Sequence, residues 1–383
     1  MICGQSIKPN GKYGMTKLFS SIYKGKSILV TGHTGFKGSW LSLWLTQMGA
    51  NVIGYSLDYL QTPNHYALLN IEMVSIFGDI NDTDKLKNIF DTYQPDIVFH
   101  LAAQALVTKS YIDPIQTYQT NVMGTLHLLE ICRQSPSVKA IVNITSDKVY
   151  KNKESLSGYL EEDELGGYDP YSASKSCVEL LTSSYRNSYF NLHSYKKEHT
   201  ILLANCRAGN VIGGGDWAED RLLSDMMKAT NAQTKIKIKN PNSIRPWQHV
   251  LEPLSAYLLI GQKLLEEKKE FAEAWNFGPL NEKSCTVLEL LQEAQTIWSL
   301  LQYEQVNTQS QLHETKLLQL DSSKAYKQLQ WQNNWSTKLS IEKTILWYKS
   351  FYENSNIETL KDLQSYIEDA KKKKLIWTRC EVK

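Results

Sequence analysis

The chain has 383 residues, 42% of them hydrophobic and 21% charged, and a net charge of +2. That length suits two domains, or one large domain with an appended lobe. The near balance of charge leaves no electrostatic case for nucleic acid or an anionic membrane surface. Six cysteines without CxxC or CxH spacing support neither a disulfide framework nor a metal site, and read as reduced thiols of a cytoplasmic protein. Residues 1–24 are expected to form a flexible extension, with Met15 a candidate start and no apolar run of the signal-peptide kind. No apolar run approaches the length of a membrane span.

From Lys26, short apolar segments alternate with longer amphipathic ones. Strands are predicted at 27–31, 51–55, 74–77, 96–101, 140–145 and 200–206, and helices at 36–48, 82–92, 115–133 and 170–190. Strands that are apolar almost throughout, alternating with helices, imply an α/β fold with a Rossmann-type doubly wound parallel sheet covered on both faces. After about Asn210 the rhythm breaks into a glycine cluster, a basic alternating stretch "TKIKIKNPNSIRPW" and helices near 252–267, 286–301 and 337–352. We therefore expect a dinucleotide-binding domain over 25–210, with segments near 246–280 weaving back to it. A smaller mixed α/β substrate lobe is expected over 211–355, and a lysine-rich helical tail over 356–383 presenting a solvated face.

"VTGHTGFKGSWL" places Gly32, Gly35 and Gly38 between the first strand and the first helix. The first glycine permits the tight turn, the second lets a pyrophosphate approach the helix N-terminus, and the third allows close packing. No GKS/T pair is present, so there is no case for an ATPase. "GGYDPYSASK" sets Tyr171 and Lys175 four residues apart, on one face of a helix. A lysine ammonium and a nicotinamide cation beside the phenol would move the tyrosine pKa toward neutrality and make it a base. Upstream, "AIVNITSDKVY" leaves a strand through Ser146, Asp147 and Lys148.

The GxxGxxG spacing and the Tyr-x-x-x-Lys pair resemble the extended branch of the short-chain dehydrogenase/reductase superfamily. The longer stretches "GHTGFKGSWLSLWL", "AAQALV", "TNVMGTLHLLE", "TSDKVY", "GGYDPYSASK", "RAGNVIGGGDWAEDRL" and "RPWQHVLEPLSAYL" together resemble the CDP-glucose 4,6-dehydratases, from about residue 24 to about 350. The resemblance implies an NAD-dependent hydro-lyase that converts CDP-D-glucose to CDP-4-dehydro-6-deoxy-D-glucose, in deoxyhexose and surface-polysaccharide (O-antigen) biosynthesis. NAD would stay tightly bound and be regenerated each turnover. It would touch Gly32, Thr34, Gly35, Phe36 and Gly38 in the turn, Asp58 after the second strand, and Asp79 and Ile80 after the third. Leu101, Ala102 and Ala103 after the fourth strand, with Tyr171 and Lys175, would complete its site. Asp58 would accept from a ribose hydroxyl and favour NAD over NADP, though it reads equally as a turn residue.

The same resemblance makes Ser146 the hydroxyl that holds the reacting oxygen, Tyr171 the base at the C4 hydroxyl, Lys148 the base at C5 and Asp147 the acid at the C6 hydroxyl. The dTDP-glucose relatives carry glutamate where this chain has Lys148. Gln104, Asn121, Asn210, Arg221 and Arg245 would bind substrate, the arginines pairing with the diphosphate. Arg207 reads either as a further phosphate ligand or as a structural bridge. Thr108 stands where arginine is usual, with Lys109 following, and this bears on substrate affinity. Long apolar-faced helices imply a homodimer through a four-helix bundle. Open alternatives are another nucleotide-sugar 4,6-dehydratase or an epimerase acting on a dTDP- or UDP-sugar, and a silent NAD-binding scaffold. The last has no chemical need of Ser146, Asp147, Lys148, Tyr171 and Lys175 together.

Overall fold

The computed structural model describes residues 15–59, 62–154, 157–279, 285–306 and 318–379. Residues 1–14 of the expected extension lie outside them. The central sheet is built from β1 (Ser27–Thr31), β2 (Asn51–Ser56), β3 (Val74–Phe77), β4 (Ile97–His100), β5 (Ala140–Ile144), β6 (Leu202–Ala208) and β7 (Ala274–Phe277). Its order is β7-β6-β5-β4-β1-β2-β3, and all pairs are parallel. The chain moves outward from β1 to β3, then crosses back to β4 on the other side. That reversal opens a crevice beyond the carboxyl ends of β1 and β4, the place where doubly wound sheets bind ligands.

Side chains alternate across the strands and so supply two cores. On one face Ile28, Val30, Ile97, Phe99, Ala140 and Val142 pack against α1 (Phe36–Gln47). On the other, Leu29, Ile53, Val98, Ile141 and Leu203 pack against α2 (Thr83–Tyr93) and α3 (Gly124–Gln134). Helix α1 carries Trp40, Leu41, Leu43, Trp44 and Leu45, all buried, because it is covered on every side. The expected helix over 115–133 is present without a break: Pro114–Tyr118 runs through a π turn at Gln119–Met123 into α3. Helix α4 spans Pro170–Ser188.

Beyond β6 come α5 (Leu222–Asn231), α6 (Leu251–Leu265), α7 (Val287–Ile297) and α8 (Thr337–Asn354). Helix α5 was missed by the sequence reading. Helix α6 returns to the buried face of the sheet, while α5, α7 and α8 enclose a third core around Trp217, Trp298 and Trp347. The basic stretch forms two short pieces, Ile236–Ile238 beside Tyr303–Gln305 and Ile244–Arg245 beside Cys285–Thr286. The glycine cluster exists for packing: a Cβ on Gly214 would sit 2.0 Å from Trp347, and the Gly214 carbonyl accepts from Trp40 Nε1 at 3.0 Å.

Two terminal expectations are corrected. Residues 15–24 are not loose, since Met15, Leu18, Phe19 and Tyr23 are buried in the first core. The tail does form a helix, α9 (Thr359–Lys372), with its lysines outward. Its other face, Leu363, Tyr366, Ile367 and Ala370, joins the same core, followed by Leu375 and Trp377. Burying that apolar face outweighs the solubility of the lysines.

Candidate active site

At the crevice, Gly32 has φ +75°, and a Cβ there would lie 2.8 Å from the Ala102 amide nitrogen. A Cβ on Gly38 would lie 2.1 Å from the Gly32 carbonyl oxygen. Only glycine therefore lets the turn, the N-terminus of α1 and the 101–103 segment meet. Thr34 Oγ1 pairs with Ser56 Oγ at 2.8 Å and donates to the Leu57 carbonyl at 3.1 Å, fixing the turn to the end of β2. The Tyr55 hydroxyl donates to the Asp79 carbonyl at 2.6 Å, and Ile80 is buried under α3. Asp58 is exposed past the end of β2, where Oδ1 accepts from the Tyr59 amide. Gly32, Thr34, Gly35, Phe36, Gly38, Asp58, Asp79, Ile80, Leu101, Ala102 and Ala103 all line one cleft of about 1000 Å³. A bare helix N-terminus, a glycine cradle and an acidic residue at the next strand end fit a dinucleotide.

The opposite wall of that cleft carries the proton-transfer candidates. Helix α4 starts where it does because Asp169 caps it, accepting from Ser172 N at 2.9 Å and Ser172 Oγ at 2.6 Å, with Pro170 in the first turn. Tyr171 and Lys175 follow on one face, both buried. Lys175 Nζ donates to the Ile144 carbonyl at 3.2 Å, which fixes it to the end of β5. There the chain makes one 3-10 turn, Asp147–Val149, capped by Ser146. The Ser146 hydroxyl donates to Asp147 Oδ1 at 3.0 Å and lies near Tyr171. Asp147 is buried against the backbone of Gly209, where a Cβ would come within 3.1 Å of Oδ2; Lys148 is half-buried beside it. Ser146, Asp147, Lys148, Tyr171 and Lys175 thus face one cavity.

The charges of the wall follow from burial. Desolvation raises the Asp147 carboxyl above its ordinary range, against the pull of Lys148, the Ser146 hydroxyl, Lys37 and Arg245. Burial lowers Lys175 to about 8, with Glu179 opposing. Tyr171 departs from the expectation of a near-neutral phenol. Burial pushes it up to about 12, and the nearby Ser146 hydroxyl only partly offsets this. Among the chain's own groups, burial thus outweighs what lowers the Tyr171 phenol.

The substrate candidates divide. Asn210, Arg221 and Arg245 line the cleft, Arg221 Nη1 resting 3.0 Å from Asp216 Oδ2. Gln104 and Asn121 do not line it, although Gln104 lines a smaller adjoining cavity. Asn121 accepts from Gln104 N at 2.8 Å and donates to Ser174 Oγ at 2.8 Å, while Gln104 Nε2 donates to Leu106 O and Thr117 Oγ1. Both amides are buried and satisfied by the fold, tying the 101–106 loop to α3 and α4. Arg207 is a bridge, paired with Glu179 at 2.9 Å. Thr108 donates to Asp220 Oδ2 at 2.6 Å, joining the two sides of the cleft mouth. Lys109 lines a smaller adjoining cavity.

The sequence reading missed Lys37, which lines the same cleft within range of Asp147, Asp216, Arg221 and Lys175. Desolvation and then Arg221 lower it to about 8. A signal was present. A cation in the first turn of a helix opposes the helix dipole and needs an anion nearby.

The GDP-mannose 4,6 dehydratase family matches residues 29–344. A CDP-glucose 4,6-dehydratase of Salmonella typhimurium is 49% identical over 88% of this chain and 94% of its own length. Among solved structures, an epimerase from Methanothermobacter thermautotrophicus superposes with a TM-score of 0.75 at 25% identity, over 88% of this chain and 96% of the other. A dTDP-glucose 4,6-dehydratase from Bacillus anthracis, solved with NAD, gives 0.69 at 21% identity over 85% and 97%, a likeness of fold.

Proposed function

The chain belongs to the GDP-mannose 4,6 dehydratase family, and we propose that it is an NAD-dependent hydro-lyase converting CDP-D-glucose to CDP-4-dehydro-6-deoxy-D-glucose. The observation that carries this is the buried Asp147 next to Lys148, on one wall with Ser146, Tyr171 and Lys175. A plain dehydrogenase needs only the last three. The choice of CDP-glucose rests on the Salmonella relative.

The glycine turn with α1, Asp58, Asp79 and Ile80 would hold the adenosine and pyrophosphate, and Leu101–Ala103 with Tyr171 and Lys175 the nicotinamide end. Bound there, NAD supplies the hydride acceptor for C4 and, once reduced, the donor for C6. Ser146 holds the C4 oxygen and Tyr171 takes its proton, the phenolate being stabilised by the Lys175 ammonium. The 4-ketone so formed acidifies the C5 proton, which Lys148 removes and gives back to C5 when hydride is added at C6. Asp147 protonates the C6 hydroxyl, which leaves as water. An acid for this step must still carry its proton near neutrality, and burial works in that direction at Asp147. Arg221 and Arg245 take the diphosphate and Asn210 the pyrophosphate or sugar.

Because the hydride returns to substrate within one cycle, NAD would stay tightly bound. The product would feed deoxyhexose and surface-polysaccharide synthesis in the cytoplasm. The protein would work as a homodimer. A second copy would cover the exposed apolar side chains Ile112 (84% exposed) and Ile115 (70%) on the helices before α3, Leu180 (60%) on the neighbouring α4 and Tyr189 (51%) just past its end.

Incubation with CDP-, dTDP- and UDP-glucose side by side tests the assignment. A 4-keto-6-deoxy product is expected from CDP-glucose, with deuterium placed at C4 reappearing at C6. Absence of that product from CDP-glucose, or label never reaching C6, refutes it.

A further inference from the structure

Helix α4 carries a third ionisable group on the face of Tyr171 and Lys175. Glu179 lies one turn beyond Lys175, is 2% exposed, and takes no part in the proton transfers described above. Its carboxylate accepts from Thr145 Oγ1 at 2.5 Å, Asn205 Nδ2 at 2.6 Å, and Arg207 Nε and Nη2 at 3.0 and 2.9 Å. Thr145 sits between Ile144, whose carbonyl receives Lys175 Nζ, and the active-site Ser146. The far edge of the guanidinium faces elsewhere: Arg207 Nη1 donates to the Tyr150 hydroxyl at 2.6 Å and the Glu161 carbonyl at 2.9 Å. The buried pair is therefore oriented: the carboxylate reaches from the catalytic helix to the end of β5, and the far edge of the guanidinium turns to Tyr150 and Glu161. Fold stability alone is a weak reason for such a pair, since packed apolar side chains often serve equally well or better.

We propose that Glu179 is a positioning residue of this active site: oriented by Arg207 and held by Thr145, its carboxylate keeps Lys175 in the ammonium form beside Tyr171. This rests on the reading of Tyr171 as base and Lys175 as its stabilising cation. The charged and titratable groups facing Lys175 are Tyr171 and Glu179 from its own helix, His100 from the end of β4, and Lys37 from α1. His100 is held neutral by burial, which lowers it to about 3, and Lys37 is a like charge. Glu179 is faced by Arg207 and Cys206 from β6 and by Arg186 from α4. Glu179 is thus the anion set against the desolvation of Lys175. Removing its charge lets burial pull the ammonium down further, so activity fails from the alkaline side at a lower pH.

The test is the pH profile of C4 oxidation in single turnover, read as NADH absorbance, with whichever of the three nucleotide sugars the wild type oxidises. Failure of the CDP-glucose assignment then shows in the wild type, separately from any result on Glu179. In Glu179→Gln the alkaline limb is expected to move down by about one pH unit or more. Glu179→Gln with Arg207→Gln leaves no uncompensated buried charge and guards against misfolding of the single variant. Its limb should still fall below that of the wild type, by less than in the single variant. Glu179→Asp should restore most of the wild-type position. A limb that stays at the wild-type pH in the double variant, with the rate reduced equally at every pH, overturns the proposal and leaves Glu179 a bridge of the fold.

Discussion

Gly38→Ala tests the dinucleotide cradle. The added Cβ would stand 2.1 Å from the Gly32 carbonyl oxygen and 2.8 Å from His33 Cα, both backbone of the turn itself, so no side chain can swing aside. Moving the first contact out to 3.0 Å, about the closest approach real Cβ atoms make, carries α1 away from the turn by about 0.9 Å. Such overpacking costs about 1–3 kcal/mol of stability. It also draws the N-terminal amides of α1 away from the pyrophosphate. Weakening one charge-assisted hydrogen bond by about 1.5–3 kcal/mol lowers NAD affinity roughly 10- to 100-fold. The assay is calorimetric titration with NAD, beside thermal melts and circular dichroism to confirm folding. Gly278→Ala, whose Cβ would meet nothing closer than 3.6 Å, serves as the control. A folded Gly38→Ala protein binding NAD within about threefold of wild type would show that the pyrophosphate does not sit on this turn.

Lys148→Ala should retain C4 oxidation and lose elimination, so reduced cofactor accumulates in rapid-scan absorbance; an equal loss of both steps would make Lys148 positional. His65 bridges Ser39 Oγ and Thr359 Oγ1 inside the core, and burial lowers it from 6.5 to about 3. Its folded pKa lies below the unfolded one, so the stability it contributes is complete above pH 6.5 and is lost as the pH falls from there toward 3. His33, His100 and His249 are buried and lowered in the same way, so urea titrations should show His65→Gln losing stability less steeply than wild type in that window, by up to about 1.4 kcal/mol per pH unit. Trp377→Ala should cost about 3–5 kcal/mol, read as a lower midpoint in the same titration. Ile115→Glu should convert a dimer to a monomer by light scattering.

The sheet was legible because parallel strands buried on both faces leave unbroken apolar runs, and the glycine turn and the Tyr171–Lys175 face because both are local patterns. For Gln104 and Asn121, residue type announces a polar group without saying that the fold already satisfies both buried amides. Lys37 was hidden inside a motif read only for its glycines. In the tail, the run of lysines drew the reading outward although Leu363, Tyr366, Ile367 and Ala370 repeat at helical spacing. Tyr171 lies on the helix face that the spacing predicts, but its proton affinity depends on burial, which spacing does not reveal.

The stack of Phe19 on Trp377, with ring centroids 5.4 Å apart, has a consequence for synthesis. The two residues come from opposite ends of the chain, yet both close the same core beneath β1 and α1. A nascent chain that has made every strand of the sheet still exposes Phe19, Trp44 and the flank of α1 until α9 and the segment after it leave the ribosome. The dinucleotide half is therefore finished last although it is translated first. A premature stop within α9 should yield an aggregation-prone product despite an intact set of catalytic residues.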